Sequence, residues 1–112
     1  MLMKKMSFVY LLGDFEQDDA YKIGVTRNSI EKRIKQLQTG NSSEIYLVDF
    51  HKTDYPFFIE RSLHLKYNCK QKKNEWFTLE KDDVVNFKNT CISLEERANA
   101  LKSNPFSEKI LK

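Results

Sequence analysis

The chain has 112 residues, 40% hydrophobic and 12% aromatic, enough for one ordinary domain with its own core and no need of staples. No apolar run approaches the ~20 residues of a membrane span, and the charged start Met1–Met6 lacks a leader-length apolar segment, so no membrane insertion or secretion is expected and a cytoplasmic protein is. A net charge of +3 permits nucleic-acid binding without requiring it, and Cys69 and Cys91, with no CxxC spacing, read as small buried hydrophobes of a reducing compartment.

Residues 1–6 are expected to be ragged and 104–112 to be a tail, with a single domain over 7–103 between them. Residues 7–12 form an apolar, aromatic run, a strand covered on both faces. Gly13 to Asp19 is a polar hairpin connection. Its Asp14-x-Glu16-x-Asp18 lacks the Gly and distant Glu of a calcium loop, so it reads as a solvated tip. Residues 20–26 form a second strand, with Tyr21, Ile23 and Val25 on one face and Lys22, Gly24 and Thr26 on the other. Asn28 and Glu31 fit a capping box ahead of a helix with the stripe Ile30, Ile34 and Leu37, which stops at Thr39-Gly40.

Ile45–His51 reads as a third strand, in which His51 has no evident partner. Asp54 and Pro56 open a second helix with the stripe Ile59, Leu63 and Tyr67. A basic loop over 70–74 precedes the short extended segment Glu75–Leu79, whose Trp76 and Phe77 either pack under the last helix or stack on bases. Val84, Phe87, Cys91, Leu94, Ala98 and Leu101 continue a helical stripe to Asn104-Pro105. It is either one helix or one broken near Thr90–Ser93, where Ser93 and Glu96 offer a second capping box. The expected fold is therefore α/β of the α+β kind, a small, mostly antiparallel three-stranded sheet flanked by helices.

Four side chains have both a structural and a chemical reading. Arg33 falls about 60° from Ile30 on the helical wheel, on the rim of the buried stripe. There its stem either covers apolar surface or its fork meets a phosphate. Glu60 lies beside the stripe of its helix, four residues before His64. The two are either an exposed pair or a single carboxylate able to hold a hydrated Mg²⁺ with a histidine at hand. Tyr10 is either a satisfied core phenol or a group that positions, or takes a proton from, an attacking water. Gly24 weakens a strand interior, which suits a close approach by a ligand or by other backbone.

The ordered set resembles the GIY-YIG nuclease superfamily, in the phage and bacterial branch whose second signature strand reads Lys-Ile-Gly. Val9-Tyr10-Leu11 stands at the first signature, Lys22-Ile23-Gly24 at the second, Arg33 in Glu-Lys-Arg-Ile at the helix arginine, and Glu60 in Ile-Glu-Arg-Ser-Leu-His at the metal-binding glutamate. Gln36–Asn41, Glu75-Trp76-Phe77 and the Glu60…His64 pair resemble recurring segments of that branch, so the likeness runs from Phe8 to Leu79. It departs at Lys22, where the second signature Tyr is absent, and at Leu37, where some members carry His.

The resemblance implies a metal-dependent endonuclease that hydrolyses DNA. Tyr10, Lys22, Arg33 and His64 would be catalytic, one Mg²⁺ or Mn²⁺ would sit on Glu60, and Gly24 and Thr26 would line the phosphate approach. Lys32, Lys35, Lys70, Lys72 and Lys73 would hold the DNA backbone without reading sequence. Two alternatives stay open. The first, favoured by Lys22, is a nucleic-acid-binding module of the same fold without catalysis. The second is a protein-interaction domain, or a homodimer, joined through the C-terminal stripe.

Overall fold

The computed structural model describes residues 6–103. The expectations for residues 1–5 and 104–112 therefore lie outside the described residues. One five-stranded sheet is flanked by helices on both faces. The chain runs β1 (Phe8–Asp14), β2 (Gln17–Thr26), α1 (Ile30–Thr39), β3 (Ile45–Lys52), α2 (Pro56–Lys66), β4 (Gln71–Lys73), β5 (Trp76–Thr78), α3 (Lys81–Val85) and α4 (Phe87–Lys102). The strand order is β3-β1-β2-β5-β4, and every neighbouring pair is antiparallel. The expected class holds, with two more strands than the three expected. The basic segment after α2 and the aromatic segment beyond it pair with each other around a turn at Asn74, whose φ of 55° is one that Asn tolerates better than most residues. No helix among the described residues is long and apolar enough to cross a membrane.

The alternation in β1 and β2 divides the interior. Val9, Leu11 and Ile23 point to the face covered by α2 and α4, and join Ile59, Leu63, Tyr67, Phe77, Phe87, Cys91 and Ala98 in the main core. Tyr10 and Leu12 point to the other face and pack with Ile45, Ile34, Leu37 and Trp76. The second cluster is small. No residue of α1 is fully buried, so the helix that carries Arg33 lies lightly on its sheet.

Several local expectations are corrected. The β1–β2 connection is only Phe15-Glu16, because Asp14 is buried and its carboxylate accepts the Glu16 N–H at 2.8 Å and the Ser43 hydroxyl at 2.6 Å. Far from being a solvated tip, Asp14 ties the hairpin to the loop before β3. The N-cap of α1 is Ser29, whose Oγ accepts the Lys32 N–H at 3.2 Å. Asn28 instead donates its backbone N–H to the Thr26 hydroxyl at 3.1 Å in the preceding turn. The C-terminal helices break at Asn86, not near Thr90–Ser93, because burial of Cys91 and Leu94 carries α4 straight through Ser93. The Asp83 carboxylate accepts the Glu80 N–H at 3.0 Å at the start of α3. His51 does have a partner, Glu95 on α4, 2.8 Å away. Cys91 is buried, and burial pushes its thiol up to about 12, whereas Cys69 is exposed in a single 3-10 turn (Asn68–Lys70) and is not a core residue. Leu94 packs into the chain's own core, so the α4 stripe is not a free seam.

Gly24 sits directly across from Tyr10 in the β1–β2 register. A Cβ on Gly24 would lie 2.6 Å from the Tyr10 Cζ, so the glycine is required by the ring of its own neighbour. Gly24→Ala is expected to cost about 1–3 kcal/mol in urea denaturation. In a Tyr10→Leu background, where the ring is gone, the same change should be near neutral, since Ala outperforms Gly in a strand by roughly 0.5–1 kcal/mol. Equal costs in the two backgrounds would contradict this.

Candidate active site

The short length of β5 creates the site. It pairs with β2 only at Ala20, Tyr21 and Lys22, and beyond Lys22 that edge of β2 has no strand partner. The turn before β5 supplies the last contact, as the Glu75 carbonyl accepts the Ile23 N–H at 3.3 Å. The Ile23 carbonyl bonds His64 Nε2 at 3.0 Å. A carbonyl can only accept, so Nε2 carries the proton and Nδ1 is the nitrogen left to take another. His64 is further fixed against the Phe77 ring, with centroids 5.0 Å apart. Through this notch α2, which packs on one face of the sheet, brings Glu60 within electrostatic reach of groups on the other face.

Those groups are Arg33, Lys22 and Glu75. The Arg33 Nε donates to the Tyr10 hydroxyl at 3.4 Å, and its Nη1 to Gln36 Oε1 at 3.3 Å. The fork is thus oriented from both sides, and the bond to Tyr10 raises the guanidinium pKa further. Lys22 Nζ lies 3.0 Å from the Glu75 carboxylate and 5.8 Å from the centroid of the Trp76 ring, with its side chain only 11% exposed.

The titration behaviour assigns roles. Burial is the main cause that pushes the Tyr10 phenol above its ordinary value, outweighing the Arg33 contact. Tyr10 is 1% exposed, and burial favours its neutral, protonated form. Burial also raises the Glu60 carboxyl, against the pull of His64, Lys22 and Arg33. Glu60 is therefore a half-buried carboxylate whose ionised form is disfavoured by burial despite the cations around it.

A divalent ion fits such a group in one form. Among the described residues no group of three or more His, Cys, Asp or Glu could hold a metal. Were an ion held there, Glu60 would be its one carboxylate from α2, an arrangement that suits Mg²⁺ or Mn²⁺ keeping most of its water.

The other expected site residues divide. Gly24 and Thr26 do not form an open phosphate approach. The Tyr10 ring fills the space over Gly24, and Thr26 is buried with its hydroxyl in the turn to Asn28. Lys32 and Lys35 are exposed on α1 beside Arg33. Lys70 is held 2.7 Å from Asp83 and lies over Tyr67. Lys72 and Lys73 are exposed on β4, with Lys72 Nζ 3.1 Å from Gln17 Oε1. Glu75 is the site residue to which the sequence reading gave no role. Its signal was its place two residues before Phe77 in a recurring segment, which says nothing of the ion pair with Lys22.

The T5orf172 domain family matches residues 7–93. The match takes in β1 through most of α4, and the chain belongs to this nuclease-associated family. No curated protein and no solved structure gives a significant match.

Because the folded carboxyl of Glu60 titrates above the ordinary 4.5, the native state holds its proton more tightly than the unfolded chain. Its contribution is fully present below the ordinary value and is lost as pH rises through the folded one. Glu60→Gln should therefore match the parent in stability at pH 4 and exceed it at pH 7. The gain, screened by solvent at a half-exposed site, should be of order 0.5 kcal/mol in paired urea titrations. A loss of stability at pH 7 would contradict the assigned direction.

Proposed function

We propose that this T5orf172-family protein is a GIY-YIG-like, metal-dependent endonuclease acting on DNA as a single domain over residues 7–103. The observation that carries the reading is the gathering of Tyr10, Arg33, Glu60, Lys22 and His64 at the end of β5. They come from two strands, β1 and β2, and from two helices, α1 and α2, on opposite faces of the sheet.

In this reading Arg33 binds the non-bridging oxygens of the scissile phosphate and stabilises the charge that grows on them. The Tyr10 oxygen, accepting from Arg33 Nε, holds the fork in one orientation. Its own hydroxyl proton remains available for a bond to the attacking water or to a phosphate oxygen. Nδ1 of His64 takes the proton that the water gives up. Glu60 holds a hydrated Mg²⁺ or Mn²⁺, which when bound supplies positive charge for the departing 3′ oxygen. Lys22, in place of a second tyrosine, adds a cation at the rim and keeps Glu75 from repelling the phosphate. Lys32 and Lys35 contact the backbone on either side without reading sequence.

Plasmid nicking tests this. With Mg²⁺ or Mn²⁺ the parent should convert supercoiled plasmid to nicked circles, and EDTA should stop it. Arg33→Ala and Glu60→Ala should each lose at least about 100-fold in rate. Tyr10→Phe, which removes the acceptor of a charged hydrogen bond, should lose about tenfold. Equal nicking by parent and variants would place the activity elsewhere.

A second reading rests on Lys22 and its ion pair with Glu75, which occupy the place of the missing signature tyrosine. The fold would then be a DNA-binding module without catalysis. Its mark would be salt-sensitive binding with no metal-dependent product.

A further inference from the structure

Two hollows of about 210 and 310 Å³ adjoin on the α1 side of the sheet, and Trp76 and Asn41 line both. They form one trough. One end begins at Lys22 and Gln36, and Gln36 is the residue that accepts from the Arg33 fork. The other end finishes at Lys72 and Lys73. The trough therefore leads directly away from the group proposed to hold the scissile phosphate.

Its lining has a definite chemistry. Lys72 and Lys73 are exposed, and neither has a carboxylate within ion-pair distance among the described residues. The carboxylate in the wall, Asp14, is buried and already bonded to Ser43 and to the Glu16 N–H. These bonds, led by that of Ser43, overcome burial and hold its pKa below the ordinary value. Trp76, half-buried, lines both hollows, and Lys22 Nζ lies over its ring 5.8 Å from the centroid, so a base stacking there would displace the ammonium toward the neighbouring phosphate. Cations on the rim, amides in the wall and an aromatic plate below are the parts of a surface that follows a single nucleic-acid strand. A base inside a duplex is covered on both faces by its neighbours, so it cannot lie on a recessed indole; an unpaired or extruded base can.

We propose that this trough binds the DNA strand flanking the scissile phosphate as unpaired nucleotides, with a base stacked on Trp76 and the next phosphates on Lys72 and Lys73. The inference rests on the nuclease reading for its orientation, and it names the substrate class as DNA with a single-stranded segment beside the cut.

Trp76 is the one tryptophan of the chain, so its emission reports on the trough alone. The full-length protein, in EDTA to prevent cleavage, is titrated with a twelve-nucleotide oligodeoxythymidine and with a blunt twelve-pair duplex. Saturable quenching by the single strand is expected, with at least tenfold weaker or absent quenching by the duplex. The double variant Lys72→Ala/Lys73→Ala changes only exposed side chains and should keep its fold. It should bind the single strand at least tenfold more weakly, and its log–log salt slope should fall by about 1.4. No quenching, equal quenching by the duplex, or an unchanged variant would overturn the proposal. Plasmid nicking by the same preparations separates the two readings. Quenching without nicking leaves the trough and removes the nuclease; nicking without quenching does the reverse.

Discussion

The site depends on one cross-strand pair, Tyr10 over Gly24. A side chain at position 24 would lift the ring off the sheet, and the phenol oxygen would no longer meet Arg33. The pair also settles what the phenol can do. Lying flat on the strand, Tyr10 is almost wholly buried, and burial holds its proton in place. It therefore stands as a polar post against the helix it touches. That helix, α1, has no fully buried residue, so the charged bond to Tyr10 and the half-buried Ile34 and Leu37 are what locate Arg33.

The two faces of the sheet divide the work. The face under α2 and α4 holds the large apolar cluster and the dense packing from which stability comes. The face under α1 holds a small cluster and the trough, with Lys22, Lys72 and Lys73 in its lining. A site assembled on the loose face alone would lack rigid support. The early end of β5 bears on this, because His64 on the well-packed α2 bonds the Ile23 carbonyl at the open edge of β2, and Glu60 on the same helix lies within electrostatic reach of Arg33 and Lys22. His64 caps the Ile23 carbonyl that the missing strand leaves unpaired, so one side chain closes the edge and sets its own tautomer.

Much of this was legible from periodicity. A continuous apolar run placed the first strand of the hairpin and a segment of alternating faces the second, and the stripes Ile59–Leu63–Tyr67 and Phe87–Cys91–Leu94–Ala98 identified the faces that became the core. The wheel position of Arg33 anticipated its half-buried rim setting. What failed did so where a side chain bonds to something distant in sequence. Asp14 looked like a solvated acid because Ser43, its partner, lies 29 residues away. His51 looked solitary because Glu95 is 44 residues away. Gly24 was read as room for a ligand, since nothing local shows that a tyrosine on the neighbouring strand fills it. Glu75 and β4 escaped for the same reason, as a three-residue strand carries too short a pattern to stand out from a basic loop.

In the proposed nuclease, the charges of the site would couple a bound phosphate to a divalent cation. Arg33 and Lys22 balance Glu60 and Glu75, and the Lys22–Glu75 pair is already closed at 3.0 Å. Arg33 and Glu60 are the members that remain to meet a substrate. A phosphodiester on Arg33 adds negative charge near a carboxylate whose ionised form burial already disfavours. Left alone, Glu60 would respond by holding its proton more tightly, and the substrate would meet a neutral acid. A divalent ion on Glu60 reverses that coupling: it keeps the carboxylate ionised and turns the repulsion between the two anions into a shared attraction. On that proposal, affinity for DNA and affinity for the metal would rise together, as reciprocal linkage requires of two ligands that relieve one electrostatic conflict.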